Sequence, residues 1–281
     1  MASAIFSMDG AQANTAARQI DRARQGKVFV VLPAYNEEAN LRQLLTRVRE
    51  VMEEASLDYH VLVVDDGSRD GTPAILDELS ARMPLTASRH ALNQGLGATI
   101  RDGLEAAART ASPEDVIVTM DSDETHDPEL IPQMVRIVDE RPDVVIASRF
   151  QPGSRVFGLT KTRQVVSHLA SLLCRISFPT EGVRDFTSGY RAYRASLLKR
   201  AFDHYGDGFI QVEGFQCMVD ILLKLRRLDA RSDWDAVFVR TCLGSAGLPN
   251  DRPRRRRPQR RRRTATLRIV PRLPLLARAR R

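Results

Sequence analysis

The sequence predicts an α/β fold, a parallel sheet covered by helices on both faces. Three observations carry that prediction. Between residues 28 and 147, short β-branched runs alternate with amphipathic stretches, the ordering that parallel strands joined by crossover helices require. The apolar runs stop at polar or turn-forming residues. The composition, 43% hydrophobic and 28% charged over 281 residues, is that of a globular chain able to bury a sizeable core.

The first element, Val28 to Leu32, ends at Pro33 and is followed by residues 37–54, where Leu41, Leu44, Leu45, Val48, Val51 and Met52 recur at helical spacing. Val61 to Val64 reads as a second buried strand, stopped by Asp65-Asp66-Gly67-Ser68. A helix from 72 to about 83 follows, with Thr72 as N-cap and Pro73 at the first helical position, where an N–H is not needed. Helix 94–109, strand 115–120, helix 128–139 and strand 143–147 complete the alternation. After residue 150 the rhythm changes. Residues 160–178 read as an amphipathic helix, 184–191 as a polar turn segment and 213–228 as another helix; beyond about Leu228 the signals fade.

The net charge of +8 is unevenly spread. Residues 250–281 hold 14 Arg and one acid, Asp251, so the body before them carries 29 basic against 34 acidic side chains. The basic character belongs to the tail, and an acidic body argues against an extended nucleic-acid surface. The expected organisation is a flexible segment at 1–26, one folded domain at 27–240, and an Arg/Pro-rich tail at 241–281 that is disordered or frame-shifted. Shifted frames of GC-rich DNA are dominated by Arg, Pro, Ala and Gly codons, which is the character of that tail. Three cysteines, Cys174, Cys217 and Cys242, form no CxxC pair and suggest neither a disulfide framework nor a zinc site. No run reaches the roughly 18 consecutive apolar residues of a membrane span. The first 27 residues carry no apolar signal-peptide core, which points to the cytoplasmic side.

In open parallel sheets, ligands bind at the carboxyl ends of the strands. Polar clusters follow the strands here: Pro33 to Glu37, Asp65 to Ser68, Asp121 to Asp123, and Ser148-Arg149. Asp121 and Asp123 can aim two carboxylates at one point, hard donors suited to Mg²⁺ or Mn²⁺ shared with phosphate oxygens. Taken alone, the same spacing fits one acid capping a turn beside another that is solvated. Asp65-Asp66-Gly67 also has two readings: Asp-Gly is a common turn pair, yet two acids after an apolar strand repel unless a base or ribose satisfies them. Asn36-Glu37-Glu38 equally fits negative charge at a helix N-terminus. Gly95 and Gly97 match neither a dinucleotide fingerprint nor a Walker A loop, and no G-x-S-x-G elbow occurs. Dinucleotide oxidoreductase, P-loop ATPase and serine hydrolase are therefore disfavoured. Of five scattered histidines, His126 is the one near the proposed site, and it reads as a solvated loop residue.

In chain order, Leu32-Pro-Ala-Tyr-Asn-Glu37, Val64-Asp-Asp-Gly-Ser-Arg-Asp-Gly-Thr72, Asn93-Gln-Gly-Leu-Gly97, Asp121-Ser-Asp-Glu-Thr-His-Asp-Pro128, Ser148-Arg-Phe150 and Thr187-Ser-Gly-Tyr-Arg-Ala-Tyr-Arg194 resemble family 2 glycosyltransferases. Within that family they look most like the dolichol-phosphate or polyprenol-phosphate mannosyltransferase branch. The resemblance implies a GT-A fold, a mostly parallel Rossmann-like sheet with helices on both faces. It also implies a nucleotide-sugar donor and inverting transfer to a polyprenyl-phosphate lipid.

Carried over by position, Pro33, Tyr35, Glu37, Val64 and Asp66 line the nucleoside pocket. Asp121 and Asp123, with the backbone near Ser122, hold Mg²⁺ or Mn²⁺ and the donor diphosphate. Arg149 and Arg163 offset phosphate charge, and Asp185, Arg191 and Asp220 fall on the acceptor side. Asp123, Arg149, Arg163 and Arg191 are the residues expected to act in catalysis. The resemblance further implies peripheral contact with the inner face of a membrane, to which helix 160–178 could contribute as well as it could pack in the core. Two departures stand out. Thr125 occupies a place where members often have Gln, and Asp235-Ala-Val-Phe-Val-Arg240 followed by the Arg/Pro tract replaces an E-V-P strand and a G-x-S-K element. A UDP-sugar donor of the glucose type, or a tail-driven nucleic-acid or anionic-membrane binding protein, are the competing expectations.

Overall fold

Alternate residues of the first strand, β1 (Val28–Ala34), point to opposite faces of a sheet and nucleate two cores. The structure is a computed structural model that describes residues 26–123, 125–140, 143–148, 183, 185–229 and 239–243. On one face Val28, Val30 and Leu32 pack with α1 (Leu41–Glu54), α2 (Thr72–Ser80) and α4 (Ile131–Glu140). On the other, Phe29 and Val31 pack with α3 (Leu96–Thr110), α5 (Ala195–Tyr205) and α6 (Gln216–Asp229). Both faces of the sheet are thus covered by helices, as expected.

The remaining strands are β2 (Tyr59–Asp65), β3 (Leu85–Arg89), β4 (Val116–Thr119), β5 (Val144–Ser148), β6 (Arg191–Arg194) and β7 (Val239–Leu243). The sheet runs β3-β2-β1-β4-β6-β5-β7. Its pairings are parallel except those of β6, which is antiparallel to both β4 and β5. The chain grows outward through β1, β2 and β3, then returns to the other side of β1 with β4. The topological switch point therefore lies between β1 and β4, and a crevice opens beyond their carboxyl ends.

Four elements go beyond the sequence reading: β3, β6, α5 and β7. The antiparallel strand Arg191–Arg194 begins at the last residue of the expected polar turn segment 184–191, and β7 carries regular structure past residue 240. Thr72 lies within α2, whose N-cap is Gly71; the threonine hydroxyl instead accepts the Glu37 N–H at 2.8 Å. The expected helix 160–178, both Arg149 and Arg163, and the Arg/Pro tail lie outside the described residues. Among the described residues, no helix is long and apolar enough to cross a membrane.

Candidate active site

The loops beyond the switch point hold one another in place. Asn36 has a left-handed φ of 56°, which a short polar side chain tolerates. Its N–H donates to Ser68 Oγ at 2.8 Å, and its Oδ1 accepts the Arg69 N–H at 2.9 Å. Glu38 Oε2 accepts the Gly71 N–H at 2.9 Å. From β4, the Ser122 hydroxyl donates to the Pro33 carbonyl at 2.7 Å and joins the two strand ends that flank the switch point. Pro33 and Glu37 are half-buried and Tyr35 is 45% exposed, so all three reach the surface. Val64 and Asp66, only 2% and 3% exposed, shape this region from within.

Protein donors face both acids after β2, although Asp65 Oδ2 is buried with an ion-pair partner and, among the described residues, no hydrogen bond. Asp65 Oδ1 accepts the Ser68 N–H at 2.9 Å, and Arg89 Nε lies 3.2 Å from Oδ2. Asp66 Oδ1 accepts the Gln94 N–H at 2.8 Å and faces His90 Nδ1 at 2.7 Å, while Oδ2 accepts the Gly95 N–H at 2.9 Å. Burial alone would raise the Asp66 pKa; the Gln94 N–H, His90 and the Gly95 N–H outweigh it and hold the carboxyl below its ordinary value. Protein donors thus offset part of the repulsion within this acid pair. A carboxylate has about four acceptor positions, and three on Asp66 hold protein donors.

The acids after β4 sit in a different setting. Asp121 is half-buried and Asp123 exposed. The Asp121 N–H donates to His126 Nδ1 at 3.0 Å, and His126 stacks on Tyr190 with ring centroids 4.9 Å apart. The Tyr190 hydroxyl in turn donates to the Asp127 carbonyl at 2.9 Å. His126, read from sequence as solvated, thus fixes the backbone at the first acid. Asp123 Oδ1 accepts both the Thr125 hydroxyl at 2.6 Å and the Thr125 N–H at 3.1 Å. Thr125 here braces an acid. A Cβ added at Gly189 would lie 3.0 Å from Asp121 Oδ1, a tight approach that would require that carboxylate or the loop to shift.

The acids also act on Glu37. Burial raises its pKa, a hydrogen bond from Asn40 opposes the rise, and the charges of Asp123, Asp70 and Asp121 add to it. Several carboxylates thus press on Glu37, a setting that a divalent ion would relieve. Among the described residues no three His, Cys, Asp or Glu side chains close on one metal position. Asp121 and Asp123 supply hard oxygen donors that fit Mg²⁺ or Mn²⁺, provided further oxygens come from a ligand.

Arg191, expected among the catalytic residues, is fully buried. Its Nε donates to the Ser188 carbonyl at 2.8 Å, and its two Nη atoms donate to the Met218 and Phe186 carbonyls, each at 2.7 Å. These contacts clamp the 186–188 segment to α6 and assign Arg191 a positioning role. Asp185, also fully buried, accepts the Thr187 and Ser188 N–H groups, each at 3.1 Å. Asp220 accepts from Lys224 Nζ at 2.7 Å. Asp185 and Arg191 thus brace the loop that delivers Gly189 to Asp121, while Asp220 is paired within α6.

A mostly parallel sheet with one antiparallel strand and acids at its switch point defines a nucleotide-diphospho-sugar transferase fold of the GT-A type. The family model described as glycosyl transferase family 2 matches residues 29–202, and the chain belongs to that family. It is 31% identical over 199 residues to the dolichol-phosphate mannosyltransferase of Pyrococcus furiosus, covering 70% of this chain and 53% of that one. It is 36% identical over 176 residues to the polyprenol monophosphomannose synthase of Mycolicibacterium smegmatis, covering 62% and 64%. It is also 36% identical over 228 residues to the undecaprenyl-phosphate mannosyltransferase of Micrococcus luteus, covering 79% and 87%. The match spans about half of the first relative's length and less than two thirds of the second's.

The crystal structure of Mycobacterium tuberculosis glucosyl-3-phosphoglycerate synthase superposes with a TM-score of 0.56 at 21% identity, over 85% of this chain and 76% of that one. Its complex with Mn²⁺, UDP-glucose and phosphoglyceric acid gives 0.54 at 22% identity, over 80% and 71%. These likenesses establish the shared fold.

Proposed function

We propose that this chain is an inverting glycosyltransferase that moves mannose from GDP-mannose to a polyprenyl or dolichyl phosphate. The observation that carries the reading is its 36% identity, across 87% of that protein's length, to the Micrococcus luteus undecaprenyl-phosphate mannosyltransferase. The crevice at the switch point supports it, because its acids can hold a divalent ion that a nucleoside diphosphate would share.

In this reading Pro33, Tyr35 and Glu37 meet the nucleoside, and Val64 and Asp66 set the pocket's shape from within. Asp121 and Asp123, with the backbone at Ser122, hold Mg²⁺ or Mn²⁺, and the donor diphosphate completes the oxygen shell. When bound, the ion offsets charge that develops on the departing nucleoside diphosphate. Arg149 and Arg163 are assigned to the same charge, and Arg191 acts by holding the 186–188 segment. A lipid phosphate is already an anionic nucleophile, so the site needs no strong general base. The residues' main task is to orient the acceptor oxygen opposite the leaving group and to stabilise that group. The acceptor places the protein at the inner face of a membrane, bound peripherally, with nucleic acid no part of its work.

The test is mass spectrometry of lipid extracts after incubation with undecaprenyl phosphate, Mn²⁺ and either GDP-mannose or UDP-glucose. The proposal expects polyprenyl-phosphate-hexose from GDP-mannose. Product from UDP-glucose alone would keep the reaction class and replace the sugar donor. No glycolipid from either would overturn the reading.

A further inference from the structure

One charged cluster reaches the pocket through Asp66 but centres on a histidine with no role in the chemistry above. His90, at the end of β3, has Nδ1 2.7 Å from Asp66 Oδ1 and Nε2 2.9 Å from Asp102 Oδ2 on α3. The ring is 10% exposed, and the His90 backbone N–H donates to the Asp65 carbonyl at 2.9 Å. Asp102 is held in turn by Arg101 Nε at 2.8 Å. Neighbouring Arg89 is engaged with Asp65 Oδ2, at 3.2 Å, and with the Ser68 carbonyl, at 2.6 Å. A rigid ring thus spans the gap between the end of β2 and the body of α3.

The other two donors to Asp66 are the backbone N–H groups of Gln94 and Gly95, on the loop that enters α3. Those bonds follow the loop, whereas the bond from His90 ties the carboxylate to two regular elements. An imidazole with protons on both nitrogens can donate to two carboxylates at once. Hydrogen bonds of this charge-assisted kind are shorter and roughly twice as strong as neutral ones. A residue that merely filled space would require neither contact.

We propose that His90 is a positioning residue for the nucleoside pocket: it fixes the Asp66 carboxylate against α3, so that the nucleotide meets a preformed wall. This rests on the reading of Asp66 as part of that pocket. The consequence is a loss of nucleotide affinity when the contact to Asp66 goes, and little change when the ring is replaced by a group that preserves it.

Asparagine and glutamine separate the two contacts, because the Asn amide nitrogen falls near the place of Nδ1 and the Gln amide nitrogen near that of Nε2. The experiment is calorimetric titration of the full chain with GDP and with UDP in Mn²⁺, using H90N, H90Q, H90A and D66N, with melting temperatures measured alongside. H90N should stay within about twofold of the parent, while H90Q and H90A weaken binding roughly five- to tenfold, the scale of one net hydrogen bond. Equal affinities for H90N and H90Q, impaired or not, would overturn the inference while leaving the pocket reading intact if D66N weakens binding. Unchanged affinity in D66N would overturn both together. If H90Q does not fold, D102N, which frees the far side of the ring, should weaken binding roughly two- to threefold, being one step removed. No change in D102N would then count against the proposal.

Discussion

Two strand ends in this molecule carry a pair of acids, and the protein uses them in opposite ways. After β2, Asp65 and Asp66 are buried and hold donors from Ser68, Gln94, Gly95 and His90. After β4, Asp121 and Asp123 stay partly or fully exposed, and their charge is felt at Glu37. On the proposed reading, the first pair shapes the nucleoside pocket from within and the second meets a metal ion. What separates them is the neighbourhood: the β2 loop faces a following loop rich in backbone N–H groups, and the β4 loop faces the switch point.

That contrast can be broken by substitution. The largest expected effect is in D123A, which should abolish Mn²⁺-dependent nucleotide binding and sugar transfer. Its melting temperature should stay near the parent's, since exposed positions usually shift stability by within about 0.5 kcal/mol. Loss of folding in that variant would show the β4 acids to be structural after all.

D66A comes next. Removing a buried carboxylate strands two backbone N–H groups and a histidine, so stability should fall by about 3 kcal/mol in denaturant unfolding. Nucleotide affinity should fall roughly ten- to a hundredfold, which is about 1.4 to 2.8 kcal/mol. An unaltered unfolding midpoint would mean that the three hydrogen bonds contribute nothing net.

A smaller effect is expected in G189A. The new Cβ must displace the Asp121 carboxylate or its own loop, at a cost of about 1 kcal/mol. Nucleotide binding in Mn²⁺ should weaken roughly three- to tenfold, on the scale of that energy. Binding as tight as the parent's would show that the site adjusts freely around residue 189.

The smallest effect belongs to Glu37. Its folded pKa is raised, so its contribution to stability is present below the ordinary carboxylate range and lost as pH rises through the raised value. At pH 7 it is therefore a net liability without a cation. E37Q should raise the melting temperature of the nucleotide-free protein by about 1–3 °C and reduce the further rise produced by Mn²⁺ with GDP. A lower melting temperature would show that its bond to Asn40 outweighs the repulsion.

Much of the framework was legible in sequence because apolar patterning sets it. The run at 28–32 is buried on both faces, 61–64 is buried apart from half-buried Leu62, and helix faces such as Leu41, Leu44, Leu45, Val48 and Met52 are buried at their expected spacing. β3 escaped because it is an edge strand in which Leu85 alone is buried and the next four residues are exposed. β6 escaped for the opposite reason: its Arg191 reads as polar surface, yet three backbone carbonyls satisfy it in the core. The acids at the strand ends were legible as a cluster, but their division of labour was not. It depends on His90, 24 residues from Asp66, and on loop N–H groups that leave no mark in residue type.

The most direct test of that division is calorimetric titration of GDP into the parent, D66A and D123A, each with and without Mn²⁺. The account predicts that Mn²⁺ tightens binding to the parent by at least tenfold, about 1.4 kcal/mol. D66A should weaken binding in both conditions and keep that ratio, whereas D123A should match the parent without metal and lose the ratio entirely. A D123A protein that retains the Mn²⁺ enhancement, or a D66A protein that loses it, would contradict the account.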